Sequence, residues 1–359
     1  MRNILITGSK GYIGSFLTSY LKKKNYNILG VDIGFFRNCY LHKDKKKQET
    51  VYKDVRNITE SDLKNIDVIV HLAGISNDPL NTLSSKTVYD PTRKYTFELA
   101  QKAKKLGIKF IFASSCSVYG ATNNKLLLNE NSHTNPQTGY SLNKLQIEKD
   151  LAKIADKNFF PICLRFATIF GVSKRIRFDV VINMLVGMAI TNKKIILNSN
   201  GMAWRPSLYI EDACSAIEHA IKYKKNKNDD KILILNIGRN DNNLRVIDIA
   251  NKIKNAVKGS EIIFLNKYKD LNNNLITDRK IKNGKDTRTY KVSFNKIKKK
   301  FTNYRCRHTI QQGIKKMIKE LTKLKLNKKI FYNKKFYRLQ YFEYLHKRKL
   351  VDNSLKWII

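Results

Sequence analysis

Short apolar runs alternate along the chain with longer stretches in which the apolar residues recur at helical spacing. The first run, Asn3–Thr7, is continuous and ends in Gly-Ser, as is typical of a strand buried in a parallel sheet. Residues 13–21 then place apolar side chains at helical spacing, and a second strand is predicted at Asn27–Asp32. Further strands are predicted at residues 68–72, 110–114 and 161–166, each after a helix-like stretch such as 97–106. Strands that alternate with helices indicate βαβ units, so we predict an α/β fold with a doubly wound parallel sheet.

The regular alternation fades after about residue 172. One more strand is predicted at 233–237 and an amphipathic helix at 246–257, whereas the polar stretch 267–285 is predicted to be a loop. Beyond residue 301 the pattern predicts basic helices with interleaved aromatic residues. We therefore expect a cofactor-binding half followed by a smaller, discontinuous α/β half that binds the substrate.

The composition excludes wholesale disorder, because 42% of the 359 residues are hydrophobic and 10% are aromatic. The five Cys and six His lack the spacing of metal ligands, so we predict no metal site and no disulfide framework. The longest near-apolar stretch, 180–190, is too short to cross a bilayer, and Gly8 comes too early for the apolar core of a signal peptide. We expect a soluble, reduced, cytoplasmic protein.

The formal net charge is +41, from 70 Lys and Arg against 29 Asp and Glu, and such an excess is compatible with nucleic-acid binding. The Lys excess, however, is spread over the whole chain together with abundant Asn and Ile, as AT-rich codon usage would produce. Net charge bears on solubility and non-specific binding, so we expect no specific nucleic-acid partner.

A glycine-rich turn, Gly8-Ser9-Lys10-Gly11-Tyr12-Ile13-Gly14, joins the first predicted strand to the first predicted helix. Gly8 suits the tight turn, Gly11 allows the backbone to approach a pyrophosphate, and Gly14 allows the helix to pack on the strand. The N-terminus of the helix supplies oriented N–H donors and partial positive charge. In this strand–turn–helix context the turn predicts a dinucleotide site in a Rossmann-type sheet.

Asp32 ends the second predicted strand, 24 residues after Gly8. A carboxylate there can accept hydrogen bonds from both ribose hydroxyls and would repel a 2′-phosphate, which favours NAD over NADP. Arg37 could soften that preference, and a plain turn-capping role for Asp32 remains the alternative.

Tyr140 and Lys144 are spaced i and i+4, which places both side chains on one face of a helix. A Lys ammonium beside the cofactor ribose lowers the pKa of a phenol, so the tyrosinate becomes accessible near neutral pH. The phenol can then take a proton from a sugar hydroxyl while a hydride leaves for a nicotinamide. The spacing of Tyr140 and Lys144 alone is a weak signal for this chemistry. It becomes a specific signal only together with the glycine turn and the serine segment 114–120, which follows a predicted strand.

With these motifs the sequence resembles the extended short-chain dehydrogenase/reductase superfamily and, within it, the NAD-dependent nucleotide-sugar epimerase/dehydratase family. The resemblance covers almost the whole chain. Its further segments are Asp54-Val55-Arg56, His71-Leu72-Ala73-Gly74, Leu164–Gly171, Trp204-Arg205-Pro206, Asp286–Val292 and the tail 336–357. It implies that residues 1–172 form the NAD-binding Rossmann domain, 173–320 mainly the substrate domain with 207–240 returning to the sheet, and 321–359 a basic aromatic helical extension.

The resemblance also implies roles for individual residues. Tyr140 would be the general base, Lys144 its modulator, and Ser115 the hydroxyl that hydrogen-bonds the reacting sugar oxygen. The cofactor residues would be Gly8, Lys10, Gly11, Tyr12, Ile13, Gly14, Asp32, Asp54, Val55, Leu72, Ala73, Gly74, Ser114, Tyr140 and Lys144. The nucleotide-diphosphate sugar would contact Thr168, Phe178, Asn183, Arg205 and Arg288.

The serine segment bears on the reaction. In the 4,6-dehydratases of this family an acid pair follows the catalytic serine or threonine, and here those positions hold Cys116 and Ser117. We therefore expect neither dehydratase nor decarboxylase activity, and Cys116 is interpreted as a buried core cysteine. Two departures from the family pattern are Thr92 in place of an Asn and Tyr209 in place of a His.

Two hydride chemistries remain. In a C4 epimerase the hydride moves from the sugar to the cofactor and returns to the other face of the sugar. In a 4-dehydrogenase or 4-keto reductase the hydride is transferred only once between sugar and cofactor. The frequency of epimerases in the family favours the epimerase reaction. The resemblance also implies a role in bacterial sugar-nucleotide and surface-polysaccharide biosynthesis, and a homodimer.

Two other hypotheses come from different classes of protein. One is a catalytically silent NAD-binding protein that regulates or binds nucleic acid, against which the intact Ser115, Tyr140 and Lys144 argue. The other is membrane association through the basic, aromatic segment 323–350, for which packing on the parent domain is the favoured alternative.

Overall fold

The computed structural model describes residues 2–42, 50–76, 85–122, 127–265 and 289–358, without the side chains of 85–89. The loop predicted at 267–285 and the predicted substrate residue Arg288 lie outside the described residues.

Strands and helices alternate through the first two thirds of the chain. Within the described ranges the strands are β1 Asn3–Thr7, β2 Asn27–Asp32, β3 Thr50–Tyr52, β4 Val68–His71, β5 Lys109–Ser115, β6 Leu127–Leu128, β7 Ile162–Phe166, β8 Thr168–Phe170, β9 Lys194–Leu197, β10 Trp204–Tyr209, β11 Leu233–Ile237, β12 Asn243–Arg245, β13 Glu261–Phe264 and β14 Lys291–Val292. The α-helices are α1 Tyr12–Lys22, α2 Ser85–Lys105, α3 Gly139–Ile154, α4 Val181–Asn192, α5 Ile210–Lys222, α6 Val246–Ala256, α7 Asn295–Lys300, α8 Ile310–Lys323, α9 Lys328–Phe331 and α10 Arg338–Lys347.

Among the described residues, seven parallel strands form the central sheet in the order β11-β7-β5-β4-β1-β2-β3. The predicted doubly wound parallel sheet is therefore confirmed. The direction of winding reverses between β1 and β4, and the carboxyl ends of the strands at such a switch point form a crevice for ligands. Three smaller sheets among the described residues, β12-β10-β8, β13-β9 and β14-β6, combine the strands β6 and β8 with strands from the second half of the chain.

The two faces of the sheet bury separate apolar cores. Ile4 and Ile6 of β1 belong to the core on one face, whereas Leu5 belongs to the core on the other. This alternation follows from the pleat, which points successive side chains to opposite faces. A strand covered on both faces is apolar throughout, which explains why its signal in the sequence is a continuous run.

Helix α2 begins well before the helical stretch predicted from residue 97. Its first turns carry polar residues such as Asp90, Thr92 and Lys94, and Pro91 lies inside the helix. The apolar periodicity is visible only in the second half of the helix, which explains the late predicted start.

A buried ion pair joins the helix α3 to the middle of the sheet. The Arg165 guanidinium on β7 donates to both carboxylate oxygens of Glu148 on α3, with Nη2 at 2.6 Å from Oε2 and Nε at 3.0 Å from Oε1. Both side chains are nearly inaccessible, at 4% and 2% exposure. Ser114 on β5 also donates to Glu148, so one carboxylate connects α3 with two neighbouring strands.

The C-terminal region packs its aromatic residues into the fold. No helix among the described residues is long and apolar enough to span a membrane. In the segment 323–350 the side chains of Phe331, Phe336, Tyr337, Tyr341 and Phe342 are buried, and they contact one another and the body of the protein. These rings are therefore part of the packed structure. This agrees with packing on the parent domain, which the sequence analysis favoured over membrane association.

We expect the substitution Glu148→Gln to lower the free energy of unfolding by about 3 kcal/mol or more, because it leaves the Arg165 guanidinium buried without its carboxylate. The matched control is Glu60→Gln, which breaks the exposed pair between Glu60 and Lys105 and should change the free energy by less than about 1 kcal/mol. Urea denaturation of both variants measures the difference. Equal effects of the two substitutions would show that the buried pair has no special role.

Candidate active site

A cavity of about 550 Å³ opens at the carboxyl ends of β1, β2, β4 and β5, on the switch point of the central sheet. The predicted cofactor residues that line it are Gly8, Gly11, Tyr12, Ile13, Gly14, Asp32, Asp54, Val55, Leu72, Ala73, Gly74, Ser114, Tyr140 and Lys144. The predicted catalytic Ser115 and the predicted substrate residues Thr168 and Arg205 line the same cavity. Residues that lie far apart in the sequence are thus brought together in one place.

The glycine turn is shaped for a close approach of backbone and ligand. Gly8 has φ +71°, in the left-handed region that favours glycine. A Cβ on Gly14 would lie 2.1 Å from the carbonyl oxygen of Gly8, so helix and turn meet without room for a side chain. Gly11 begins α1 without a side-chain cap, which leaves the first N–H groups for a ligand. The Tyr12 hydroxyl donates to the Gly171 carbonyl at 2.7 Å and ties the turn to the end of β8.

Asp32 lies beside this turn and is only 9% exposed. Its two carboxylate oxygens accept hydrogen bonds from the backbone N–H groups of Gly34, at 2.7 Å, and Lys10, at 2.9 Å. Burial raises the pKa of Asp32, and the two backbone donors and the nearby Arg175 act in the opposite direction. Lys10 itself does not line the cavity, and its described contact with this site is through its backbone N–H.

Tyr140 and Lys144 lie on the first turns of α3, and Ser115 lies at the end of β5. Thr138 begins α3 with a capping box, which fixes where the helix starts and therefore where Tyr140 lies. The Lys144 ammonium donates to the Ala113 carbonyl at 2.8 Å and lies 5.7 Å from the centre of the Tyr140 ring. Burial lowers the pKa of Lys144 to about 8.

His71 is a site feature whose role the sequence did not reveal. Its Nδ1 lies 2.8 Å from the Thr7 hydroxyl and its Nε2 lies 2.9 Å from the Thr96 hydroxyl, so it braces β1, β4 and α2 beneath the cavity. Complete burial, with a smaller effect of Lys144, lowers the pKa of His71 to about 3. The imidazole is therefore neutral and acts as a structural hydrogen-bonding group. Thr92, which replaces the family's Asn, lines the cavity above it and accepts from Thr96 through its carbonyl.

Two of the predicted substrate residues, Phe178 and Asn183, do not line the cavity. Phe178 is fully buried among aromatic rings of the C-terminal region, with its centroid 4.9 Å from that of Phe331. Asn183 is also fully buried, where its amide bonds the Gly171 backbone N–H and the Arg177 carbonyl. Both residues are packed behind the residues that line the cavity. Sequence patterns do not distinguish a residue that lines a pocket from one that packs behind the lining.

Arg177 and Asp179, the two neighbours of Phe178 in the chain, line the cavity instead. The Arg177 guanidinium forms a bidentate pair with Asp179, with both distances 2.9 Å, and also donates to the Ser76 hydroxyl at 2.7 Å. Burial alone would lower the pKa of Arg177, but the pairing with Asp179 outweighs it and raises the pKa. A buried, held guanidinium of this kind can face an anionic group. The Arg-x-Asp spacing was its only signal in the sequence.

A profile of the NAD dependent epimerase/dehydratase family matches residues 4–238 of the chain. The chain belongs to the NAD-dependent epimerase/dehydratase family. The match covers the glycine turn, Asp32, Ser115, Tyr140 and Lys144, which are the residues that the cavity gathers.

Relatives within the NAD-dependent epimerase/dehydratase family differ in activity. The chain is 29% identical over 283 residues to a dTDP-D-glucose 4,6-dehydratase of Dictyostelium discoideum, a match that spans 71% of this chain and 62% of that protein. The structure is similar to that of TunA, described as an NAD-dependent NDP-hexosamine 5,6-dehydratase, with a TM-score of 0.74, 18% identity and coverage of 90% and 98% of the two chains. It is also similar to a UDP-glucuronic acid 4-epimerase of Bacillus cereus, with a TM-score of 0.71, 23% identity and coverage of 90% and 99%.

The cofactor of the family is NAD, and the residues present fit it. The uncapped helix start and the contact between Gly8 and Gly14 provide a side-chain-free cradle for a diphosphate. Asp32 ends β2 next to this cradle, where it can accept hydrogen bonds from ribose hydroxyls. The preference for NAD over NADP that Asp32 predicts is compatible with this arrangement.

We expect Gly14→Ala to weaken NAD⁺ binding by about tenfold or more, because the new Cβ would push the turn away from the helix by contact with the Gly8 carbonyl. Isothermal titration with NAD⁺ measures the affinity. Lys22→Ala, an exposed change at the other end of α1, is the matched control and should bind as the unmodified protein does. Unchanged binding by the Gly14 variant would contradict the assigned phosphate site.

Proposed function

We propose that the protein is an NAD-dependent nucleotide-sugar epimerase that acts at a sugar hydroxyl, which we place at C4. The observation that carries the proposal is the joint position of Ser115, Tyr140 and Lys144 in one cavity with the glycine turn and Asp32. The family likeness further suggests a place in the synthesis of sugar nucleotides for bacterial surface polysaccharides, most often in a homodimer.

Each of the three side chains has a chemical task in this proposal. The Tyr140 phenol takes the proton of the sugar hydroxyl, and the nearby Lys144 ammonium stabilises the resulting phenolate. The Ser115 hydroxyl at the end of β5 hydrogen-bonds the same sugar oxygen and orients it. Bound NAD⁺ would supply the hydride acceptor and, in an epimerase, return the hydride to the opposite face of the sugar.

Two held arginines support a nucleotide-diphosphate sugar as the substrate. Arg177 and Arg205 both line the cavity, which Thr168 and Tyr290 extend on the side of the second half of the chain. Guanidinium groups suit diphosphate and carboxylate oxygens, and because Asp179 already occupies the Nε–Nη2 edge of Arg177, we propose Arg205 for the bidentate contact. The Bacillus cereus relative was solved in complex with UDP-glucuronic acid and NAD, and we propose a ligand pair of this kind here.

Dehydration is the second candidate, because dehydratases occur among the relatives. The geometry around Ser115 favours epimerisation over it. The Cys116 thiol donates to the Arg165 carbonyl and does not line the cavity, and burial raises its pKa above the physiological range. The carboxylates among the described lining residues are Asp32, Asp54 and Asp179. Asp32 and Asp54 lie at the β2 side of the cavity and Asp179 is paired with Arg177, which supports the proposal that none of the three is the acid that a leaving hydroxyl requires.

We expect Tyr140→Phe to abolish turnover while it leaves NAD⁺ binding within about twofold, because only the proton acceptor is lost. UDP-, GDP-, CDP- and dTDP-sugars are incubated with the protein, and the products are separated by chromatography and weighed by mass spectrometry. A product isomeric with its substrate supports the epimerase, and loss of one water identifies a dehydratase.

The control is Tyr20→Phe. The Tyr20 hydroxyl donates to Glu218 outside the cavity, so its loss should not affect turnover.

A net change in A340 with added NAD⁺ or NADH, without an isomeric product, would point to a dehydrogenase or reductase. If the Tyr140 variant and the unmodified protein behaved alike in every assay, the enzymatic proposal would be wrong.

The pKa of Lys144 predicts the alkaline side of the pH profile. Its ammonium is present below about pH 8 and is lost above it, because burial lowers its pKa to about 8. We therefore expect kcat/KM to fall as the pH rises through about 8, since the neutral amine no longer stabilises the phenolate. In Lys144→Arg the guanidinium stays charged. The overall rate of this variant should be lower, but the alkaline limb of its pH profile, the fall in kcat/KM near pH 8, should disappear. A limb at the same pH in both proteins would assign it to another group.

A further inference from the structure

The last described residues of the chain form part of the cavity wall. We call residues 338–358, which comprise α10 and the turn that follows it, the C-terminal cover. Leu339 and Phe342 of α10 and Ser354 and Leu355 of the turn line the cavity. The sequence resemblance included the tail 336–357 but gave these residues no role at the cavity, and the family profile ends at residue 238.

Hydrogen bonds hold the turn of the cover to the cofactor half of the fold. Arg56 donates to the carbonyl oxygens of Ser354, at 2.9 Å, and Leu355, at 2.8 Å, and it is itself held by Asp54. The Trp357 indole N–H donates to the Ile33 carbonyl at 2.7 Å. These contacts connect the cover to the chain directly after β2 and to the short turn after β3.

An aromatic cluster holds α10 against the same region. The Phe35 ring lies 5.0 Å from that of Phe342 and 5.3 Å from that of Trp357, measured between centroids. The Arg338 guanidinium lies 4.1 Å from the centre of the Phe36 ring. The catalytic Tyr140 packs against this cluster as well, so the cover reaches from the end of β2 to α3.

These contacts place the cover at the adenosine end of the cavity. In a sheet of this topology the acidic residue that ends β2 receives the ribose of the dinucleotide. The cover is fastened immediately beside it, at Ile33, Phe35 and Arg56. Its lining side chains, Leu339, Phe342 and Leu355, present an apolar surface of the kind that an adenine ring contacts.

We propose that the C-terminal cover is part of the cofactor site, where it encloses the adenosine half of NAD and slows its release. With the C-terminal cover in place, the cavity still has a volume of about 550 Å³. The cover therefore forms part of the cavity wall and does not occupy the cavity. The inference rests on NAD binding, which is a property of the family, and is independent of the sugar and of the reaction.

The test measures the release of NADH. Protein loaded with NADH is mixed with excess NAD⁺, and the loss of bound-NADH fluorescence gives the dissociation rate constant. We expect Trp357→Ala to raise this rate constant by about tenfold or more, because it removes the Ile33 hydrogen bond and the contact with Phe35. Trp357→Phe, which keeps a ring, should fall in between. Ile358→Ala is the matched control, since this neighbouring side chain is exposed and does not line the cavity.

A second measurement needs no substitution. Amide hydrogen exchange of the unmodified protein is compared with and without NAD⁺, and peptides from 338–358 should exchange more slowly when NAD⁺ is bound. Thermal unfolding of each variant without cofactor shows whether it folds.

The proposal is wrong if folded Trp357→Ala releases NADH at the unmodified rate and the exchange of 338–358 does not respond to NAD⁺. It is also wrong if that variant binds NADH more tightly, because the cover would then compete with the cofactor. The sugar screen is separate, so a protein that retains NADH through the cover but converts no sugar would refute the proposed reaction alone.

Discussion

The buried carboxylate of Glu148 is the contact on which the site depends. It receives the Arg165 guanidinium from β7 and the Ser114 hydroxyl from β5, and it is carried by the helix that also carries Tyr140 and Lys144. Hydrogen bonds to this side chain, together with the one from Lys144 to the Ala113 carbonyl of β5, therefore fix the distance between the serine strand and the tyrosine helix. An ion pair removed from water contributes little net stability, but its geometry is demanding. It is suited to fixing the relative position of two elements that must cooperate.

The sequence predicted the central sheet and the cofactor of the family, and it also predicted reacting groups that the structure places around one cavity. The strands β1, β2, β5 and β7 are apolar runs because the sheet is covered on both faces, and such runs are visible without a structure. The glycine turn and the Tyr140–Lys144 pair are local in sequence, so their spacing alone encodes their geometry. The profile of the family and the topology of the central sheet agree with the predicted cofactor and fold, and the structure brings Tyr140 and Lys144 to the cavity that the glycine turn lines.

The part of the cavity for which we propose the sugar was less accessible to sequence reasoning. Phe178 and Asn183 were predicted to line it, whereas Arg177 and Asp179 do. On an irregular segment neighbouring residues differ only in the direction of their side chains, and no periodicity records that direction. The C-terminal contribution was hidden for a different reason, because Leu339 and Leu355 become lining residues only through contacts with elements some three hundred positions away. Long-range packing of this kind has no local signature.

The position of β11 has a consequence for how the protein is made. This strand pairs with β7 at one edge of the central sheet, but β8–β10 and the helices α4 and α5 lie between the two in the chain. During synthesis the apolar edge of β7 is therefore translated long before its partner and stays exposed in the meantime. Closing parallel pairs over such separations is slow, and an open strand edge invites pairing with other chains. A fragment that stops at the end of the first half would keep this edge open permanently, so we expect such fragments to aggregate even though they contain the entire glycine turn.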